Sequence, residues 1–405
     1  MKDKDTEINN LEKAFNYINN QESSMIELWY DFCKIESPSS DYKAVNAAVD
    51  FLHGHLIDFG MNSKIHEFKT GGNSLSAFFQ GSPNNSNNSK NSDELKVALL
   101  GHVDTVHKKG DFGNEIVKLD LNNDLLYGPG VVDCKGGVIV SILVARALNH
   151  IGYNKVVKLI YSGDEEVGHG ATQGEGKDFL IKELEGFKYC INCESGYSDN
   201  RIIIGRRGAA NFKIIIKGRA SHSGNSPKLG ISAIKEAAHK ILNIEKENDY
   251  ENIYYNVGLI EGGSTPNTIS ENCSITVNVR YKKLSDADIF RKFLKDITET
   301  SFVEGTTSEL VELSLSYPME QIEGNLELFN LIKKNSEELN LGTPYSIYVG
   351  GGSDSACSVF LGIPTVCGMG VKGFDIHTLN ERAIVSSLAE RAKLITKTIL
   401  SLPTE

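Results

Sequence analysis

Two histidines and several carboxylates of this 405-residue chain fall at successive strand or loop ends, where they could bind metal and move protons. His102 and Asp104, in GHVDTV, follow the run VALL. Side chains two apart on a strand share a face, so Asp104 can accept one ring N–H of His102 and aim the other nitrogen at a cation. A hydrogen-bonded histidine at a strand end fits the same pair. Asp133 rides a glycine-dense turn, GPGVVDCKGG, from which an acid could bridge two cations; it could equally cap the helix that follows. Lys135 in that turn lacks the GxxxxGK[ST] spacing of a phosphate loop. SGDEEVGHG places Asp164, Glu165 and Glu166 together at a strand end. Burying like charges is costly unless a cation offsets them or one stays protonated, the alternative being an exposed acidic turn. Glu194, in INCESG, and His377, in GFDIHTLNERA, complete an N/O donor set suited to a pair of borderline divalent metals.

The elements that must position these residues can be read from the apolar rhythm. Runs at 96–101, 155–163 and 189–195 alternate with helical stretches around 134–150 and 174–187, the pattern of βαβ units. The expected fold is α/β, a mixed, mostly parallel sheet flanked by helices, and open sheets of this kind bind ligands at the carboxyl ends of their strands. From about 208 the pattern changes to strand NFKIIIKG, an amphipathic helix through Ile231, Ile234, Ala238 and Ile241, two strands, and a helix at about 284–300. This reads as an inserted α+β domain, giving boundaries of 1–207, 208–317 and 318–405, with a last helix from about 381 to 401. The Asn/Ser-rich segment 81–94 reads as a solvated loop.

Composition narrows the function. A formal charge of −11 argues against phosphate backbones and anionic lipid, so neither nucleic acid nor membrane is an expected partner. No stretch approaches a membrane span, and the first twenty residues have no apolar core of a secretory signal, which together predict a cytoplasmic protein. Seven cysteines spread over a long chain read as reduced thiols, and Cys190 and Cys193, though a CxxC, lie in a buried strand.

GHVDTV, GPGVVDCKGG, GDEEVG, CESG, GRASHSG, GGGSDSA and DIHTLNE, in this order, resemble the dinuclear zinc peptidases and deacylases: glutamate carboxypeptidase, aminoacylase, acetylornithine deacetylase and succinyl-diaminopimelate desuccinylase. The resemblance runs from about residue 25 to the end. It implies two Zn2+ ions, with Co2+ or Mn2+ as substitutes. Asp133 would bridge them, His102 and Glu194 would complete one site, and Glu166 and His377 the other. It implies Glu165 as general base, Asp104 as the orienting partner of His102, and His222, in GRASHSG, as an oxyanion-stabilising residue supplied by a second copy. The inserted segment would then be a lid and the homodimer contact. Arg280 and Asn267 resemble residues that hold a substrate carboxylate and carbonyl, with Gly352 and Ser353 at an anion-binding turn. Arg206 and Arg207 are left outside the site, and His107, His150, His169 and His239 are expected to be structural.

Departures are Cys134, where relatives often carry Met or Asp and which should leave the metals alone, and Ser270 in place of a frequent proline. The loop 81–94 and the segment before about 25 read as additions. Glu at 194 points away from aminopeptidases, and the wording around Pro129 toward the glutamate carboxypeptidase branch. The expected substrate is a small peptide or N-acyl amino acid. A metallocarboxypeptidase is the first reading and an N-acyl amino acid deacylase the second; a third is a relative that binds ligands without catalysis.

Overall fold

The computed structural model describes residues 2–79 and 95–403, so the loop reading of 81–94 falls outside the described residues. The chain forms two compact units. One comprises Met1–Gly205, Gln321–Tyr348 and Ser353–Glu405, the other Arg206–Glu320 and Val349–Gly352.

The first unit is built on an eight-stranded sheet, in order Met61–His66, Ser74–Phe79, Val156–Ser162, Lys96–His102, Tyr189–Asn192, Thr365–Cys367, Arg201–Arg206 and Tyr345–Val349. Its middle is parallel: Val156–Ser162, Lys96–His102, Tyr189–Asn192 and Thr365–Cys367 run together. Antiparallel strands flank this middle on both sides. Register decides what this presents. His102 pairs with Ser162 and Leu100 with Asn192, so three strands finish nearly level. The residues that follow them, Asp104, Glu165, Glu166 and Glu194, emerge at one edge.

The crossover helix Lys135–His150 is buried over nearly its whole length, from Lys135 through Ala145. The glycine pair at its start explains how close it comes to the sheet: a Cβ on Gly137 would stand 1.6 Å from the carbonyl oxygen of Cys193, at the end of the strand that delivers Glu194. The first helix, Lys2–Lys34, buries Ala14 and Ile18, and Arg146 donates to its Gln21 at 2.8 Å. Ala14 and Ile18, within the segment before residue 25, are therefore part of the core. The last helix, Ser387–Leu400, begins later than expected because Arg382–Ile384 pairs as a strand in a small second sheet with Leu125–Tyr127 and Lys372–Phe374.

The second unit is a four-stranded antiparallel sheet, in order Tyr254–Gly262, Asn272–Tyr281, Gly208–Lys217 and Thr307–Ser316. Alternate residues Phe212, Ile214, Ile216, Ile275, Val277 and Val279 are buried with Ala237 and Phe290 of the helices Ala233–Lys246 and Asp286–Glu299. The first of these helices buries a different stripe from the one read off its isoleucines: Ile231 precedes it and Ile234 is 41% exposed. A buried Glu236–Lys240 ion pair at 3.0 Å occupies the inner face instead. Glu236 accepts from the amides of Phe302 and Val303, and Lys240 donates to the carbonyls of Ile297, Thr298 and Thr300. Charges so fully hydrogen-bonded can take core positions that hydrophobic periodicity assigns to apolar groups.

Candidate metal centre

The five expected donors gather in the first unit. The Nε2 of His102 lies 3.1 Å from Asp133 Oδ1 and 3.7 Å from Glu194 Oε1. The Nε2 of His377 lies 3.0 Å from Asp133 Oδ2 and 3.3 Å from Glu166 Oε2. Asp133 thus offers one oxygen to each of two His–Glu pairs. All are buried except His377, which is half exposed. The other oxygen of Glu166, Oε1, is buried with no hydrogen-bond partner. An ionised carboxylate oxygen left that way is costly in a protein interior, and a divalent cation is the group that would satisfy it. The residues present therefore fit a metal pair of the N/O type.

Electrostatics point the same way. Burial opposes charge on Asp133, but hydrogen bonds from His102 and His377 outweigh it and hold the carboxyl well below the usual range. His377 is pushed up to about 11 by its hydrogen bonds to Asp133 and Glu166. Burial pushes Glu165 up, and the charge of Glu194 adds to it. Glu166 rises through burial as well. Protons on the histidines here do the work of cations, so metal binding must release them.

A second layer of contacts fixes the donors. His102 Nδ1 lies 3.0 Å from the backbone oxygen of Asp104 and 3.4 Å from its carboxylate, so the main chain makes the nearer contact. The carboxylate is occupied by the amides of Glu165 and Glu166, both at 3.2 Å, and by Ser39 Oγ at 2.6 Å. Asp104 therefore pins the turn carrying Glu165 and Glu166 as well as contacting the histidine. Glu381, the last residue of DIHTLNE, does the same for Asp133, accepting from the amides of Gly130, Val132 and Asp133 at 3.2, 2.8 and 3.0 Å.

His107, expected to be an ordinary structural residue, lies 3.0 Å from Glu381 through Nε2, and His169, also expected to be structural, is buried between Asp164 and Asp354. Both are buried and paired with carboxylates. His150 stacks on Tyr17 and His239 on Phe302. Cys134 is closer to the centre than expected: its Sγ lies within 4.8 Å of ligand atoms of His102 and Glu194 while donating to the Cys193 carbonyl at 3.2 Å.

The remaining expected site residues, apart from Ser353, belong to the second unit. His222 is exposed, its Nδ1 accepts from the amides of Gly224 and Asn225 at 3.1 Å, and it pairs with Thr268, next to Asn267. The Asn267 carbonyl accepts from Ser223. Arg280 reaches the carbonyl of Gly350 at 3.4 Å, and Arg206 donates to the carbonyls of Gly351 and Gly352 at 3.2 and 3.0 Å. Arg206, passed over in the sequence, holds the GGG turn. Ser353 lies in the first unit, hydrogen-bonded to Ser355.

A buried carboxylate shared between two His–Glu pairs at the carboxyl edge of an α/β sheet defines a metal-dependent hydrolase. Residues 98–401 match the peptidase family M20/M25/M40, and the chain belongs to that family. It is 24% identical to carboxypeptidase G2 of a Pseudomonas species over 396 residues, 96% of this chain and 91% of the relative. It is 25% identical to a succinyl-diaminopimelate desuccinylase of Ehrlichia chaffeensis over 375 residues, covering 86% and 91% of the two. A tripeptidase structure from Staphylococcus aureus superposes with a TM-score of 0.74 at 22% identity, covering 93% of this chain and 97% of the other, so the two share a fold.

Proposed function

We propose that this chain is a dinuclear zinc hydrolase that cleaves an amide next to a free carboxylate, releasing a C-terminal amino acid, glutamate foremost, from a small peptide. The observation that carries the reading is Asp133, one oxygen turned to His102 and Glu194 and the other to His377 and Glu166. Imidazole and carboxylate donors suit zinc, with cobalt or manganese as substitutes. Bound divalent ions supply Lewis acidity and lower the pKa of water at the site toward about 7.

The chain's own residues do the rest. Glu165 takes the proton of the attacking water and returns it to the leaving nitrogen, and Asp104 keeps His102 and the Glu165 turn in register. Arg280 grips the substrate carboxylate in a two-pronged hydrogen bond, Asn267 holds a carbonyl, and the turn at Gly352 and Ser353 supports the same anion. His222 from a second copy stabilises the developing oxyanion. The segment 208–317 serves as lid and homodimer contact; Leu259 and Ile260, exposed on the edge strand Tyr254–Gly262, support a self-association role there. No described helix is long and apolar enough to cross a membrane, and we place the enzyme in the cytoplasm.

A second reading, an N-acyl amino acid deacylase, is favoured by the likeness to the desuccinylase. Metal analysis with a panel of Ala-Glu, N-acetyl-L-glutamate, N-acetyl-L-ornithine and N-succinyl-diaminopimelate decides between them. Preferred cleavage of Ala-Glu supports the carboxypeptidase, and preference for the acylated amines the deacylase. No turnover of any of them by fully metallated protein would overturn both in favour of a binder.

A further inference from the structure

His169 stands three residues beyond Glu166, its side chain only 8% exposed, and each ring nitrogen meets a carboxylate. Nδ1 lies 3.0 Å from Asp164 Oδ1 and Nε2 2.8 Å from Asp354 Oδ1. A neutral imidazole carries one N–H and can donate to only one of them, so two ionised partners require the doubly protonated ring. The outer oxygens are engaged as well. Asp164 Oδ2 accepts from Thr172 N at 3.0 Å and Thr172 Oγ1 at 2.7 Å, and Asp354 Oδ2 from Ser162 Oγ. His169 adopts φ of 61°, uncommon for a residue with a Cβ, so its contacts rather than backbone preference hold it there. Gly176 leaves the space for the pair: a Cβ there would stand 2.6 Å from Asp164 Oδ1 and 2.9 Å from His169 Nδ1.

The two carboxylates are attached to different working parts. Asp164 immediately precedes Glu165 and Glu166, and Asp354 immediately follows Ser353 and begins the helix Ser355–Phe360. We propose that His169 is a positioning residue, an imidazolium bridge that ties the turn bearing Glu165 to the chain that leaves the GGGS turn and thereby sets where the Glu165 carboxyl points. Asp104 holds the amides of the same turn, so Glu165 is steadied from two directions. The role rests on the reading of Glu165 as general base.

The test uses the full-length, metal-loaded enzyme with Ala-Glu and N-acetyl-L-glutamate as probes. His169→Gln is expected to lower kcat roughly 10- to 100-fold, the usual effect of losing an orienting partner, with KM and metal content little changed. The double variant His169→Gln/Asp354→Asn should recover much of that loss, because a neutral amide pair leaves no buried carboxylate facing an amide oxygen. Gly176→Ala should mimic the single variant while removing no polar group. Wild-type rates in His169→Gln, or a loss that tracks metal loss, would overturn the role. If Glu165→Ala is inactive while His169→Gln is normal, the positioning role alone fails; if Glu165→Ala turns over normally, the underlying reading fails. Should the variants not fold, nitrogen NMR of the wild-type ring at about pH 8 decides: two protonated nitrogens are expected, and a single neutral tautomer overturns the bridge.

Discussion

A carboxylate that gives one oxygen to each of two histidines is geometrically ready for two cations, and what surrounds Asp133 keeps it so. Glu165 contributes to none of those contacts, which separates its chemistry from the metal seat. Glu165→Ala should therefore cut kcat by roughly 10²- to 10⁴-fold, the range of a lost general base, with both metal equivalents retained. Turnover assays paired with metal analysis check it, and undiminished rates would remove the mechanism. Glu381 is the converse case. Its carboxylate receives three amides of the Asp133 turn, so Glu381→Gln places an N–H against an N–H and should weaken metal binding roughly 10- to 100-fold in chelator competition. Unchanged affinity would make Glu381 a bystander. His102, Glu166 and Glu194 could be read from the sequence because they close or follow apolar strand runs that end at a ligand-binding edge, whereas Asp133, on a glycine-dense turn, and His377, in a loop, were legible through the motifs around them. Glu381, His107 and His169 could not, since their partners are backbone amides or acids as far as 274 positions away.

At the scale of elements, the alternation of strands and helices around a mostly parallel sheet followed from apolar patterning, but which face a helix buries did not always. The helix Ala233–Lys246 shows why: periodicity counts isoleucines, whereas the Glu236–Lys240 pair is satisfied only by amides and carbonyls from around residue 300, which no local pattern encodes. That saturation makes the pair a sharp test. Lys240→Met leaves Glu236 charged and uncompensated in the core, and should destabilise the folded protein by about 3–5 kcal/mol in denaturant unfolding. A loss under about 1 kcal/mol would mean that the pair is solvated in solution. The β-edge of the same unit and the Arg206 clamp on the GGG turn were likewise hidden, because a guanidinium binding backbone carbonyls leaves no trace in residue spacing.

For the molecule as a whole, the cysteines set a limit on alkaline stability. All seven are free and buried, and burial pushes Cys33 and Cys190 up to about 12 from an ordinary value of 9.0, with Cys193 and Cys357 also raised. An acid whose folded pKa exceeds its unfolded one stabilises the fold fully below the unfolded value. Between 9.0 and about 12 the unfolded chain releases thiol protons while the native one keeps them, so stability must fall as pH rises through that window. Lys135, lowered to about 8 by burial, works in the opposite sense, because above that pH the native state no longer holds a buried ammonium. Lys240, also lowered by burial, acts with Lys135, but the raised thiols, joined by Tyr153 and Tyr255 at about 12, outnumber the two lysines and leave the net slope downward. Denaturant unfolding of the metal-loaded enzyme from about pH 8 to 10.5 should give a steadily decreasing free energy, and replacing Cys33 and Cys190 by alanine should flatten that slope even if it lowers stability overall. A slope unchanged by the double replacement would mean that these thiols ionise in the native state and that the core admits water.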